Sequence, residues 1–239
     1  AELANRVWEL CNLGKFDKAA VLLRFGIYSR AFKMELYMKF YKSENTPDCL
    51  NFFKGLIEEY GVFQNLYVDR AGVYGGIKRS GFSQVERALG ELGTHVVYAH
   101  SPQGKGRIER LFNTLQDRMI PEMRINKIKT SKAANEFLVD FTKDYNARFS
   151  CESRSAVSEF RECNKDLAVV FCIKEKRQVG ADHTISYKND RYLISERFKY
   201  SIKNQTIELR IGKNGGFEAY FGSYKLNLIK IDKIKGLAA

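Results

Sequence analysis

Ser101-Pro102-Gln103-Gly104-Lys105-Gly106-Arg107-Ile108-Glu109-Arg110 reads as a cation-rich loop that runs into a helix. Ile108, Leu111, Phe112, Leu115 and Met119 recur at helical spacing and give residues 105–119 one apolar face. Glu109 is one position from Ile108 and one turn before Asn113, so it stands at the edge of that face near the amino end of the helix. A glutamate there can simply pair with Lys105 at i, i+4, an interaction of about 0.3–0.5 kcal/mol. A second acid stands upstream of it. Leu66-Tyr67-Val68 is strand-like and ends at Asp69, with 39 residues between the two acids. A carboxylate at the carboxyl end of a sheet strand lies where α/β folds bind ligands, although an Asp also begins ordinary turns. Gly72, Gly75, Gly76 and Gly81 follow, interleaved with Arg70, Lys78 and Arg79, which predicts a basic loop beside the acid.

Working outward, residues 6–11, 18–25 and 32–41 read as three strands, the last with Leu36, Met38 and Phe40 at period two. Asn45-Thr46-Pro47 starts a helix that carries Leu50, Phe53, Leu56 and Ile57 and stops near Gly61. Residues 64–68 form a strand, 82–92 a helix closed by Gly93, and 94–99 a strand. A last helix spans 131–149, with Ala134, Phe137, Leu138, Phe141 and Tyr145 inward. The order β-β-β-α-β-α-β-α-α predicts an α/β domain on a mixed sheet, antiparallel first and parallel afterwards. After about residue 168 the pattern becomes all-β: 184–187, 191–194, 206–211, 217–220 and 225–229 alternate. Turn signals at Lys188-Asn189-Asp190, Asn214-Gly215-Gly216 and Gly222-Ser223 separate these runs, as in a small barrel. The expected organisation is therefore 1–150 as core, 151–167 as linker and 168–235 as a small β-barrel.

The 239 residues hold 40 Lys and Arg against 28 Asp and Glu, a net charge of +12. Such a surplus calls for a polyanionic partner, nucleic acid before an anionic membrane surface. It is uneven: residues 1–150 hold 23 cations against 17 acids and residues 168–239 hold 14 against 7, so the last third is the most basic per residue. No run of about 18 apolar residues is present to span a bilayer. No amino-terminal signal is visible, and the expected location is cytoplasmic. The five cysteines share no C-x-x-C spacing and there are three histidines, which argues against zinc and for free thiols.

Tyr67-Val68-Asp69 and the stretch from Ser101 to Arg110 resemble the second and third motifs of the integrase-core DDE transposases of bacterial insertion sequences. The likeness continues through Leu111-Phe112-Asn113-Thr114-Leu115-Gln116-Asp117-Arg118, Pro121-Glu122-Met123-Arg124 and Ala134-Asn135. Phe82-Ser83-Gln84, Glu91-Leu92-Gly93-Thr94 and Lys42-Ser43-Glu44-Asn45-Thr46 also look like this family. The resemblance implies an RNase H-like core and metal-dependent DNA cleavage and strand transfer at transposon ends. It also implies a homo-oligomer on double-stranded DNA. Three carboxylates would hold two Mg²⁺ or Mn²⁺ ions, which take hard oxygen ligands. Asp69 and Glu109 match two of them, so their carboxylates are expected roughly 4–8 Å apart. Aligning residues 15–19 with the family's second strand puts Glu9, in Val7-Trp8-Glu9-Leu10, where the family has its first Asp. Asp17 is a weaker candidate for that place. Glu is one methylene longer than Asp, which leaves open a catalytically impaired, DNA-binding remnant. The amino-terminal helix-turn-helix region of the family is missing from this stretch, as expected of a fragment. Lys105, Arg107 and Arg110, with Arg70, Lys78 and Arg79, are the expected DNA contacts. Lys105 and Arg107 can alternatively just balance Glu109 and Asp117.

Overall fold

The computed structural model describes residues 21–27, 35–41, 45–68, 83–98, 106–149, 160–212 and 214–231. The side chains of 21–36, 67, 106–114 and 116 are outside that description. The chain divides into two compact units, Ala1–Phe171 and Cys172–Ala239.

The first unit is a mixed α/β structure. Strands β1 (Val21–Ile27) and β2 (Glu35–Tyr41) pair antiparallel, Val21 opposite Tyr41 and Ile27 opposite Glu35. Residues 6–11, expected to form a further strand, lie outside the described residues. Helix α1 (Thr46–Tyr60) begins where its local chemistry demands. The Asn45 side chain accepts the Asp48 N–H at 2.8 Å, and Pro47 occupies the first turn, where no N–H is needed. Gly61 ends it at φ +93°, its N–H returning to Ile57 O at 2.9 Å. The helix buries Cys49, Leu50, Phe52, Phe53, Leu56 and Ile57. Strand β3 (Asn65–Val68), helix α2 (Gln84–Glu91) and strand β4 (His95–Tyr98) follow, and β3 and β4 pair in parallel across the α2 crossover. The Ser83 hydroxyl caps α2 on Glu86 N–H at 3.1 Å. Buried Thr94 fastens the entry to β4 by donating its hydroxyl proton to Phe63 O at 2.5 Å.

Helix α3 (Gly106–Ile125) runs past its expected end at Met119 and through Pro121. An internal proline removes one helical hydrogen bond, but Met119 and Met123 on either side of it are buried at 3% and 7% exposure, and their packing carries the helix on. They join Leu115, Met38 and Phe40 of β2, and Ala134, Leu138, Phe141 and Tyr145 of α4 (Ser131–Phe149) in one core. The expected inward faces of β2 and α4 are thus the observed ones at these residues, and Phe137 packs against the same cluster.

Asn135 on α4 has a further function in this core. Its amide accepts the Phe40 N–H at 2.7 Å and donates to Phe40 O at 3.0 Å, satisfying both backbone groups as a neighbouring strand would. Asn135→Ala removes both of these hydrogen bonds from a half-buried stretch of backbone, each loss costing about 1–3 kcal/mol. The variant is expected to lose roughly 2–4 kcal/mol in urea unfolding. A loss under about 0.5 kcal/mol would show that water replaces the amide.

Residues 160–171, which include part of the expected linker, are fastened to the first unit. Val62 and Arg161 exchange backbone hydrogen bonds at 2.8 and 2.9 Å, and Arg161 Nη2 donates to Leu92 O at 3.3 Å. Lys165 Nζ donates to Glu91 O, and Arg87 reaches Val170 O at 3.2 Å in the short helix α5 (Leu167–Val170). These interactions join residues distant in the chain and have no periodicity, so no sequence pattern announces them.

Among its described residues the second unit is all-β, in two antiparallel sheets. One has the order β10 (Tyr224–Leu226), β9 (Phe217–Phe221), β8 (Thr206–Ile211), β5 (Ile173–Gln178); the other β11 (Leu228–Ile231), β7 (Asp190–Ile194), β6 (Thr184–Tyr187). Val179, Ile185, Tyr187, Ile194, Ile202, Ile207, Leu209, Ile211, Ala219 and Leu226 form their shared core. Lys188 and Asn189, both at positive φ, make the two-residue turn between β6 and β7. Residues 225–229, expected as one strand, are instead divided at Asn227 between the two sheets. The reason is hydrogen bonding: Asn227 N–H goes to the Glu196 carboxylate, and its carbonyl accepts the Ser195 N–H at 3.1 Å.

Candidate functional site

The parallel pair sets the geometry of the first candidate site. Asn65 lies opposite His95 and Val68 opposite Tyr98, so both strands finish side by side at their carboxyl ends. Leu66, 1% exposed, anchors β3 in the core. Asp69 is the residue that follows Val68 in the chain. On the neighbouring strand, burial and a hydrogen bond to Glu86 of α2 hold the Tyr98 hydroxyl above its ordinary pKa.

Glu109 is the fourth residue of α3. At about 100° per residue its position falls roughly 80° around the helix from Met119, on the flank of the buried stripe. The frame under it is the packing of Leu115, Met119 and Met123 against β2 and α4. Arg107 and Arg110 share the first turns of α3, and their side chains, like that of Glu109, lie outside the description. Glu9, Asp17, Asp69, Arg70, Lys78, Arg79 and Lys105 lie outside the described residues altogether. The expected convergence of Asp69 and Glu109 therefore falls outside them too. Among the described residues no three His, Cys, Asp or Glu side chains gather into a metal-binding group. No described helix is long and apolar enough to cross a membrane.

The second unit offers a charged surface. Five of its six described acids are in ion pairs: Glu175 with Arg177 at 2.5 Å, Glu208 with Arg210 at 2.8 Å, Asp190 with Lys230 at 2.7 Å, Asp182 with Arg191 and Glu218 with Lys225. A hydrogen bond from the Thr184 hydroxyl, with Arg191 nearby, holds Asp182 below its ordinary pKa. Lys225 and the Tyr220 hydroxyl do the same for Glu218, which in turn raises Tyr220. The Arg210 guanidinium lies 3.8 Å from the Tyr220 ring centroid. Arg197, Lys199 and Lys203 are exposed and outside every ion pair among the described residues. Sequence reading counted this charge without finding which cations are neutralised, because three of the five pairs join residues on different strands or loops.

No family profile matches the chain. It is 31% identical over 169 residues to a Sinorhizobium fredii protein named as a transposase, covering 67% of this chain and 37% of that protein. It is 30% identical over 153 residues to the transposase for insertion sequence IS1202 of Streptococcus pneumoniae, covering 64% of this chain and 31% of that one. The chain thus spans about a third of the length of the curated relatives it matches. On these two likenesses, with the motifs around Asp69 and Glu109, this chain belongs with the transposases of bacterial insertion sequences.

Proposed function

We infer that this chain carries the catalytic region of a DDE-type transposase, an RNase H-like core followed by a small barrel that grips DNA. The observation that carries this is the parallel β3–β4 pair, whose carboxyl edge leads straight into Asp69, in a chain whose relatives are named transposases. Glu9, Asp69 and Glu109 are the residues that would hold two Mg²⁺ or Mn²⁺ ions. The donor set fits: three carboxylates offer the hard oxygen that these ions take. Once bound, such ions supply the charge that activates an attacking oxygen and neutralises a leaving one in phosphodiester transfer. The chain's own part is positioning. Gly104 and Gly106 let backbone approach a phosphate, and Lys105 and Arg107 hold it there, with Arg70, Lys78, Arg79 and Arg110 along the DNA path. The second unit adds phosphate contacts, and the working form is a homo-oligomer on double-stranded DNA in the cytoplasm.

A second reading is favoured by one residue. With Glu9 in place of an Asp, the chain is a DNA-binding remnant with impaired chemistry. Strand transfer of a labelled duplex into plasmid, with Mg²⁺ or Mn²⁺ and with chelator, separates the two. In a working site tuned to Glu9, Glu9→Asp shifts a ligand by about 1 Å and lowers the rate up to about a hundredfold. In a remnant the same change raises it. No metal-dependent product from either protein would rule out catalysis.

A further inference from the structure

We propose that the loop of residues 195–205 is a nucleic-acid site that takes backbone phosphates on Arg197, Lys199 and Lys203 and an unpaired base on Tyr200. This rests on the reading of the chain as a DNA-handling protein and goes beyond it in naming a loop and a structural feature of the DNA.

The loop connects β7 to β8 and is built rather than slack. At its start Ser195 donates N–H and hydroxyl to Asn227 O at 3.1 and 3.2 Å, and the Glu196 carboxylate accepts the Asn227 N–H. In its middle the Phe198 ring packs on the core, 5.9 Å from Phe221, and Ile202 is 3% exposed. At its end Asn204 N–H bonds Val179 O and Val179 N–H bonds Gln205 O, both at 2.9 Å. With Glu196, Phe198 and Ile202 turned in, the charged and aromatic residues left outside are Arg197, Lys199, Tyr200 and Lys203.

Three features give this surface a partner. Its cations are in no ion pair among the described residues: the other described acids of the unit are paired elsewhere, and the Glu196 carboxylate accepts the Asn227 N–H. Tyr200 is 75% exposed, an aromatic ring held in water by a pinned loop. The Lys199 ammonium stands 5.6 Å from that ring's centroid, so charge and aromatic face are presented together. Cations in this number neutralise phosphates, and an open aromatic face stacks an exposed base, which duplex interiors do not offer. The combination selects a DNA end or gap with an unstacked nucleotide over blunt duplex.

The test uses the whole chain in fluorescence anisotropy, with a blunt duplex and the same duplex bearing a short single-stranded overhang. The wild-type protein is expected to prefer the overhang by about tenfold, the worth of one base–aromatic stack. Tyr200→Ala should level the two DNAs and Tyr200→Phe should keep the preference. The triple variant Arg197→Ala/Lys199→Ala/Lys203→Ala should weaken both and reduce the salt slope by about 0.9 for each phosphate no longer neutralised. Lys174→Ala/Lys176→Ala/Lys225→Ala, on the outer face of the four-stranded sheet, is the control. If the control weakens binding and the loop triple does not, DNA binding stands and the loop inference falls. If the wild-type chain binds neither DNA, both fall. If the loop triple loses binding to phosphatidylserine vesicles but not to DNA, the partner is a membrane and the inference is overturned.

Discussion

Asp69→Asn and Glu109→Gln are each expected to lower metal-dependent strand transfer at least about a thousandfold, or roughly 4 kcal/mol of transition-state stabilisation. Each change keeps the size of the side chain and removes the negative charge that a divalent ion requires. DNA affinity should hold within about threefold, because the phosphate contacts proposed above are made by cations and not by these two acids. Thermal midpoints should also hold. The frame for position 109 is the core of Leu115, Met119 and Met123, and Leu66 secures the strand that leads to position 69. Rates measured beside anisotropy and a melting curve separate lost chemistry from lost fold. A variant with a rate within about threefold of wild type would remove that acid from the site, whatever its motif.

Phe53→Ala is expected to be the most damaging single truncation for stability, at about 3–5 kcal/mol. The ring is 2% exposed and lies 5.4 Å from that of Phe52 and 6.4 Å from that of Phe63. It belongs to the stripe through which α1 packs on β2 and α2, so the cavity would open between elements that also frame β3 and β4. A midpoint fall of roughly 10 °C or more should accompany it. Ile229→Ala, at a position 55% exposed, should change stability by less than about 0.5 kcal/mol. Similar losses from the two would mean that the first unit melts independently of α1.

Much of this frame is legible in the sequence where a local signal decides the structure. Asn45-Thr46-Pro47 and Gly61 bound α1 because capping and positive φ are one-residue properties. The helix over 131–149 matches α4 to the residue, its stripe being long and regular. Where packing decides, the sequence falls short. Pro121 argues against a helix that two buried methionines maintain. Ile173-Lys174-Glu175-Lys176-Arg177-Gln178 shows no apolar alternation, yet it is the strand β5. Asn227 looks like any strand residue, but Glu196 and Ser195 compete for its backbone. For the site, Asp69 and Glu109 stand out by motif and spacing. Asn135 did so only by family likeness, and its physical reason is the backbone of Phe40.

The oddity of β5 has a consequence for how the molecule behaves in a crowd. Its register sets Glu175 beside Leu209 and Arg177 beside Ile207, so an ion pair lies on the core-facing side of an edge strand, with the guanidinium 5.8 Å from the Tyr187 ring centroid. A strand from another molecule that tried to extend this sheet would have to bury that pair against its own apolar side chains. At the edge of the other sheet, Lys230 of β11 lies across from Tyr192 and pairs with Asp190 at 2.7 Å, which repeats the device. Charges that look misplaced in an amphipathic strand thus act as guards against fibre growth, and keep a β-rich unit with open edges from templating its own aggregation.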